Sequence, residues 1–143
     1  MSILLLQGPG AARVDPGGRI VAALWRTAHR YGHRLRCQAS TSITSLVDCL
    51  RGRLCGTSDL VLLNPGKLGL PPGSAVESLR DALDRLPVPH IEIHACGGQL
   101  LELDLRSSQQ PIATIAIAGD FDASCRIAMG VAVRHLSLRA RPT

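Results

Sequence analysis

Aromatic side chains are almost missing from this chain: Trp25, Tyr31 and Phe121 make up 2 % of its 143 residues. Binding of single-stranded nucleic acid usually relies on aromatic platforms that stack bases, so that function class is disfavoured. Lysine is scarcer still, with Lys67 alone, and arginine carries the positive charge. The net charge of +5 and the pI near 9.4 would otherwise point to nucleic acid or an acidic membrane surface. The arginines are scattered, however, and the one cluster, Arg134, Arg139 and Arg141, reads as solvated helix and tail surface. Neither a nucleic-acid nor a membrane partner is expected.

Other absences narrow the class further. The cysteines are Cys37, Cys49, Cys55, Cys96 and Cys125, an odd number with no CxxC pair and no histidine at metal spacing. They read as reduced, buried thiols and not as a disulfide frame or a zinc site, so no metal is expected. No apolar run approaches the roughly 18 residues of a membrane span. Ile3 to Leu6 is too short for a secretory h-region and has no basic lead, so a cytoplasmic location is expected. Neither GxxxxGK[ST] nor GxGxxG occurs, which removes the P-loop and the dinucleotide fingerprint.

What remains is an ordinary globule. Hydrophobic residues at 45 % and charged residues at 19 % exclude disorder, and the length suits one domain over 1–143 with a core of its own. Ile3-Leu4-Leu5-Leu6 reads as a strand buried on both faces, broken at once by Gln7-Gly8-Pro9-Gly10. A helix carrying Ile20, Val21, Leu24 and Trp25 follows and ends near Tyr31-Gly32, with glycine as its carboxyl cap. Leu35 and Cys37 alternate with Arg34, Arg36 and Gln38, which suits a half-buried strand near a sheet edge.

Thr44 or a neighbour caps the next helix, with Leu46, Val47 and Leu50 on its apolar face. Asp59 to Leu63 is a second buried strand, ended by Asn64-Pro65-Gly66. Ser74 with Glu77 forms a capping box for a helix whose stripe is Val76, Leu79, Leu83 and Leu86. Val88 to His94 is a fourth strand and Ile112 to Ala118 a fifth. Leu100 to Arg106 fits either a short helix or an edge strand. The last helix starts at Asp122 or Ser124 and carries Ile127, Ala128, Val131 and Leu136. Strands alternating with helices predict an α/β fold with a doubly wound parallel sheet, its ligand site outside the carboxyl ends of the strands.

Three groups there could carry chemistry. Gln7-Gly8-Pro9-Gly10 could cradle an anion on backbone N–H groups, or simply be a tight turn. Glu92 and His94, two apart on one strand, share a face, and a carboxylate beside an imidazole orients it for acid–base work. Cys96 follows on the next turn and raises a nucleophile reading, though no third group orients it.

Taken in order, several segments resemble the type II 3-dehydroquinate dehydratase (type II dehydroquinase) family. They are Ile3 to Pro9, Gln38, Leu62-Leu63-Asn64-Pro65-Gly66, Leu79-Arg80-Asp81-Ala82-Leu83 and Pro89-His90-Ile91-Glu92-Ile93-His94. The resemblance implies a flavodoxin-like three-layer sandwich around a five-stranded parallel sheet, assembled as trimers or dodecamers. It also implies a cofactor-free lyase of the shikimate pathway of aromatic amino acid biosynthesis, turning 3-dehydroquinate into 3-dehydroshikimate and water. By resemblance His94 would be the general acid and Glu92 would tune it. Asn64, Arg106, Gly8, Pro9, Gly10 and Cys96 would line the substrate, and Asp81 would reach a neighbouring subunit's site.

The substrate-facing loops depart from the family. Its Asn-Leu-Asn and tyrosine-bearing lid become Gly10-Ala11-Ala12 and Arg13 to Gly18, with no tyrosine for Arg13 or Arg19 to activate. The histidine that follows Asn-Pro-Gly in the family is absent from Lys67 to Ser74, and Leu-Ser-Asn is replaced by Ala95-Cys96-Gly97. The expectation is a pseudoenzyme-like homologue that binds a small cyclic carboxylic acid or acts as a regulatory partner. A lyase using His94 and Glu92, or a new cysteine-dependent enzyme, are the alternatives.

Overall fold

The computed structural model describes residues 1–8, 19–65, 73–94, 111–116 and 121–140. The segments expected to form the shortened lid, the loop after Asn64-Pro65, the Leu100 to Arg106 element and the end of the fifth strand lie outside them. So do Pro9, Gly10, Cys96 and Arg106.

Five parallel strands form one sheet: β1 (Ser2–Gln7), β2 (Arg34–Ala39), β3 (Leu60–Asn64), β4 (His90–His94) and β5 (Ala113–Ala116). Their order is β2-β1-β3-β4-β5, the flavodoxin-like winding. Among the described residues five helices join or flank them: α1 (Arg19–Arg30), α2 (Ile43–Arg51), α3 (Arg53–Thr57), α4 (Gly73–Asp84) and α5 (Phe121–Ala140). Strand alternation sorts the core into two layers. Ile3, Leu5, Leu60, Leu62, Ile91 and Ile93 meet α1 and α5, whereas Leu4, Leu6, Val61 and Leu63 meet α2, α3 and α4. A strand that serves both layers must be apolar at every position, which is why Ile3 to Leu6 reads as an unbroken run with 0 % exposure. Each fully buried leucine contributes about 1.5–3 kcal/mol, so β1 and β3 anchor the molecule.

The punctuation follows local chemistry. Ser42 Oγ accepts the Ser45 N–H at 3.1 Å and caps α2. Gly32, at φ 79°, takes the left-handed conformation that closes α1. β2 is an edge strand, as its alternation suggested, and Leu35 is its half-buried apolar contact.

Several expectations need correction. Cys37 is exposed because it lies on β2, an edge strand with a neighbour on one side only, and Cys49 of α2 is only partly covered; Cys55 and Cys125 are buried. Trp25 is 50 % exposed and stacks on His29 at 4.8 Å, while Leu24 and Ala28, four apart, face the sheet. Ile127 is 46 % exposed; α5 instead packs Ser124, Cys125, Ala128, Met129, Ala132 and Val133 inward, mostly small residues that let the helix lie close on the sheet. Ser74 sits inside the first turn of α4, which begins at Gly73, and α5 begins at Phe121. The short helix α3 was not foreseen. No helix among the described residues is long and apolar enough to cross a membrane.

Candidate functional site at the carboxyl edge of the sheet

β1, β3 and β4 deliver Gln7-Gly8, Asn64-Pro65 and His94 to one edge. Gln7 and Asn64 are register partners, the Gly8 N–H donates to the Asn64 carbonyl at 2.7 Å, and the Ser40 N–H donates to the Gln7 carbonyl at 2.8 Å. A Cβ at position 8 would collide with the Pro65 carbonyl oxygen, so the close approach of the two strand ends requires glycine there. The side chains at this edge are polar yet covered: Gln7 is 5 %, Asn64 1 % and His94 8 % exposed.

β4 alternates between two chemistries. Ile91 and Ile93 enter the α1/α5 core, and His90, Glu92 and His94 share the opposite face. On that face His90 lies beside Val61 and Glu92 beside Leu63 of β3, with Thr114 of β5 on the far side of Glu92. Glu92 is the centre of the group. Its Oε2 lies 3.2 Å from His94 Nε2 and its Oε1 lies 3.6 Å from His90 Nε2. Burial pushes the Glu92 carboxyl up, but the two imidazoles outweigh it and hold the group down at about 2. Glu92 is therefore a fixed carboxylate at neutral pH. His94 Nδ1 is buried and without a hydrogen-bond partner among the described residues.

The other expected residues fall as follows. Alternation turns Gln7 and Asn64 toward the α1/α5 layer and Glu92 and His94 toward the α2–α4 layer, so Asn64 and His94 flank the edge from opposite sides of the sheet. Asp81 lies on α4, with its side chain 46 % exposed, in ion pairs with Arg51 of α2 at 3.1 Å and Arg85 at 3.2 Å. Exposed pairs of this kind contribute little stability. Tyr31 is 56 % exposed in the turn between α1 and β2, and β2 opens at Arg34, whose N–H donates to the Met1 carbonyl at 2.9 Å. That is the amino edge, the end of the sheet away from His94. His90 was missed in the sequence, although its spacing of two from Glu92 is the same signal that flagged His94. No group of three or more potential metal ligands occurs among the described residues.

No protein-family model and no curated protein matches the chain in sequence. Solved structures do match in shape. A type II dehydroquinase from Butyrivibrio crossotus is similar at 18% identity and a TM-score of 0.64, covering 92% of this chain and 96% of its own. A 3-dehydroquinate dehydratase-like protein from Bifidobacterium longum is similar at 12% identity and a TM-score of 0.59, over 94% of this chain and 97% of its own. A pilus assembly-related protein from Burkholderia pseudomallei follows at 14% identity and a TM-score of 0.53, over 94% and 90%. At these identities the likeness establishes the flavodoxin-like fold, a scaffold that hosts unrelated functions.

Proposed function

We propose that this chain is a diverged relative of the type II dehydroquinases that binds a small cyclic carboxylic acid at the carboxyl edge of its sheet with little or no dehydratase turnover. The observation that carries this reading is a separation. The Glu92–His94 pair stands at the carboxyl edge, at 3.2 Å, while the chain's one tyrosine lies in the turn at the amino edge. An acid is at hand and the phenol base of the family is not. Losing general-base assistance alone lowers a rate by about 10²–10⁴-fold. The bound acid then serves as a signal, or as the ligand of a regulatory partner in a homo-oligomeric assembly.

Two measurements on the same sample test the reading. With 3-dehydroquinate, product absorbance is expected to rise no faster than that deficit allows. With 3-dehydroquinate or 3-dehydroshikimate at about 100 times Kd, the melting curve should shift by an amount equivalent to about 2.7 kcal/mol. His94→Ala should remove the shift. Turnover at ordinary enzymatic rates overturns the inactive half of the reading, and no shift with either acid overturns the binding half.

The intact Glu92–His94 pair favours a second reading, a lyase that acts on 3-dehydroquinate or a related cyclic hydroxy-acid with His94 as proton donor. Turnover that disappears in His94→Ala would select it.

A further inference from the structure

Glu92 has two imidazole neighbours on its face of β4, and the function proposed above uses only one of them. The other, His90, is 1 % exposed and sits beside Val61, with its backbone carbonyl accepting the Ile112 N–H at 2.8 Å. Neither of its ring nitrogens has a hydrogen-bond partner among the described residues. An aliphatic side chain would fill a slot of this kind without burying two polar atoms. The histidine does one thing such a side chain cannot: it brings Nε2 to 3.6 Å from Oε1 of Glu92. The other oxygen, Oε2, meets His94 Nε2 at 3.2 Å. The carboxylate is thus divided, one oxygen to each ring.

We infer that His90 is a positioning residue, whose Nε2–H holds Oε1 of Glu92 and so takes a share of the carboxylate's charge that would otherwise fall wholly to the ligand-facing imidazole of His94. The inference deepens the function proposed above and rests on it for the role of His94 in meeting a ligand. Its electrostatic consequence has one sign. As a neutral donor or as a cation, His90 draws on the same negative charge that favours protonated His94. Without His90, the whole charge serves His94. The cross-strand neighbours Val61, Leu63 and Thr114 do not titrate, and the partly buried charged residues of α4, Arg80, Asp81 and Asp84, are common to every variant compared below.

The test is an NMR titration of the histidine rings in the ligand-free protein, comparing wild type with His90→Leu and His90→Gln. A glutamine carboxamide nitrogen reaches about as far as Nε2 of histidine and restores the donor. In His90→Leu the His94 midpoint should rise by about half a pH unit or more, and in His90→Gln it should return to within roughly 0.2 of wild type. The ring nitrogen shifts of the wild-type protein should show His90 as the Nε2–H tautomer when neutral. A His94 midpoint that stays or falls in a folded His90→Leu protein overturns the inference, and so does an Nδ1–H tautomer at His90. The tautomer needs no variant, so it decides the matter even where the leucine substitution does not fold. No acid is present in this titration, so its failure removes His90 alone. Failure of the acids to shift the melting curve removes the function and leaves the titration as it was.

Discussion

A carboxylate with a side chain only 20 % exposed is stable in a folded chain when polar N–H groups lie close to it, and Glu92 has His94 at 3.2 Å and His90 at 3.6 Å. Burial raises its affinity for a proton, and the two rings lower it further than burial raises it, to about 2 from an ordinary 4.5. A folded-state value below the unfolded one means stabilisation that is complete above pH 4.5 and is lost as the pH falls toward 2. The gap corresponds to on the order of 3 kcal/mol. Urea unfolding of Glu92→Gln at about pH 6 should show a loss of that order, and its stability should fall less steeply than that of wild type between about pH 5 and pH 2.5. Parallel profiles would show that Glu92 carries no such linkage. At this scale the pair Glu92–His94 was legible, because a spacing of two on a strand fixes a shared face whatever the tertiary context. His90 was not singled out, because a histidine inside an apolar strand reads as packing until the carboxylate beside it is seen to have a second oxygen to fill. The side of the sheet that Asn64 faces depends on registering three strands together, which no single segment encodes.

Among the elements, the ends of β1 and β3 are the most tightly constrained. The Gly8 N–H bonds the Asn64 carbonyl at 2.7 Å, and a Cβ on residue 8 would strike the Pro65 carbonyl oxygen. Gly8→Ala must therefore move backbone, at a cost of about 1–3 kcal/mol, and it should loosen the strand end that holds Asn64. Gly130 in α5 meets nothing within 4 Å, so Gly130→Ala should instead gain about 0.5–1 kcal/mol from helix propensity. Thermal unfolding of the two variants should move in opposite directions; a Gly8→Ala protein as stable as wild type would disprove the close approach. The strands were legible because a parallel sheet covered on both faces demands continuous apolar runs, and Ile3 to Leu6 and Leu60 to Leu63 supply them. The inward faces of the helices were less so. A helical stripe leaves neighbouring residues about 100° apart to compete for the core, and the sheet selected Leu24 and Ala28 over Trp25, and Ala128 and Ala132 over Ile127. The five-residue α3 has too few turns to display a stripe at all.

Over the whole molecule, the sheet is the wall shared by two apolar layers, and β1 and β3 contribute leucines to both. Neither layer closes without the other, since removing α4 would leave Leu4, Leu6 and Leu63 wet, and removing α5 would do the same to Leu5, Leu62 and Ile93. Unfolding should therefore be a single cooperative transition. The chain supplies a probe for this. Trp25, the one tryptophan, stands on α1 in the α1/α5 layer, stacked on His29 at 4.8 Å, whereas Leu6 points into the α2–α4 layer. Leu6→Ala should remove about 2–5 kcal/mol by leaving a cavity under α2 and α4. If the wall transmits that loss, the urea midpoint followed by Trp25 fluorescence falls by as much as the midpoint followed by helical circular dichroism, although Trp25 lies in the other layer. A fluorescence transition that stays put while the dichroism transition moves would mean that the layers melt separately. The carboxyl edge would then be held by β4 and its neighbours on one side alone, and the geometry of Glu92 and His94 would depend only on the α2–α4 half.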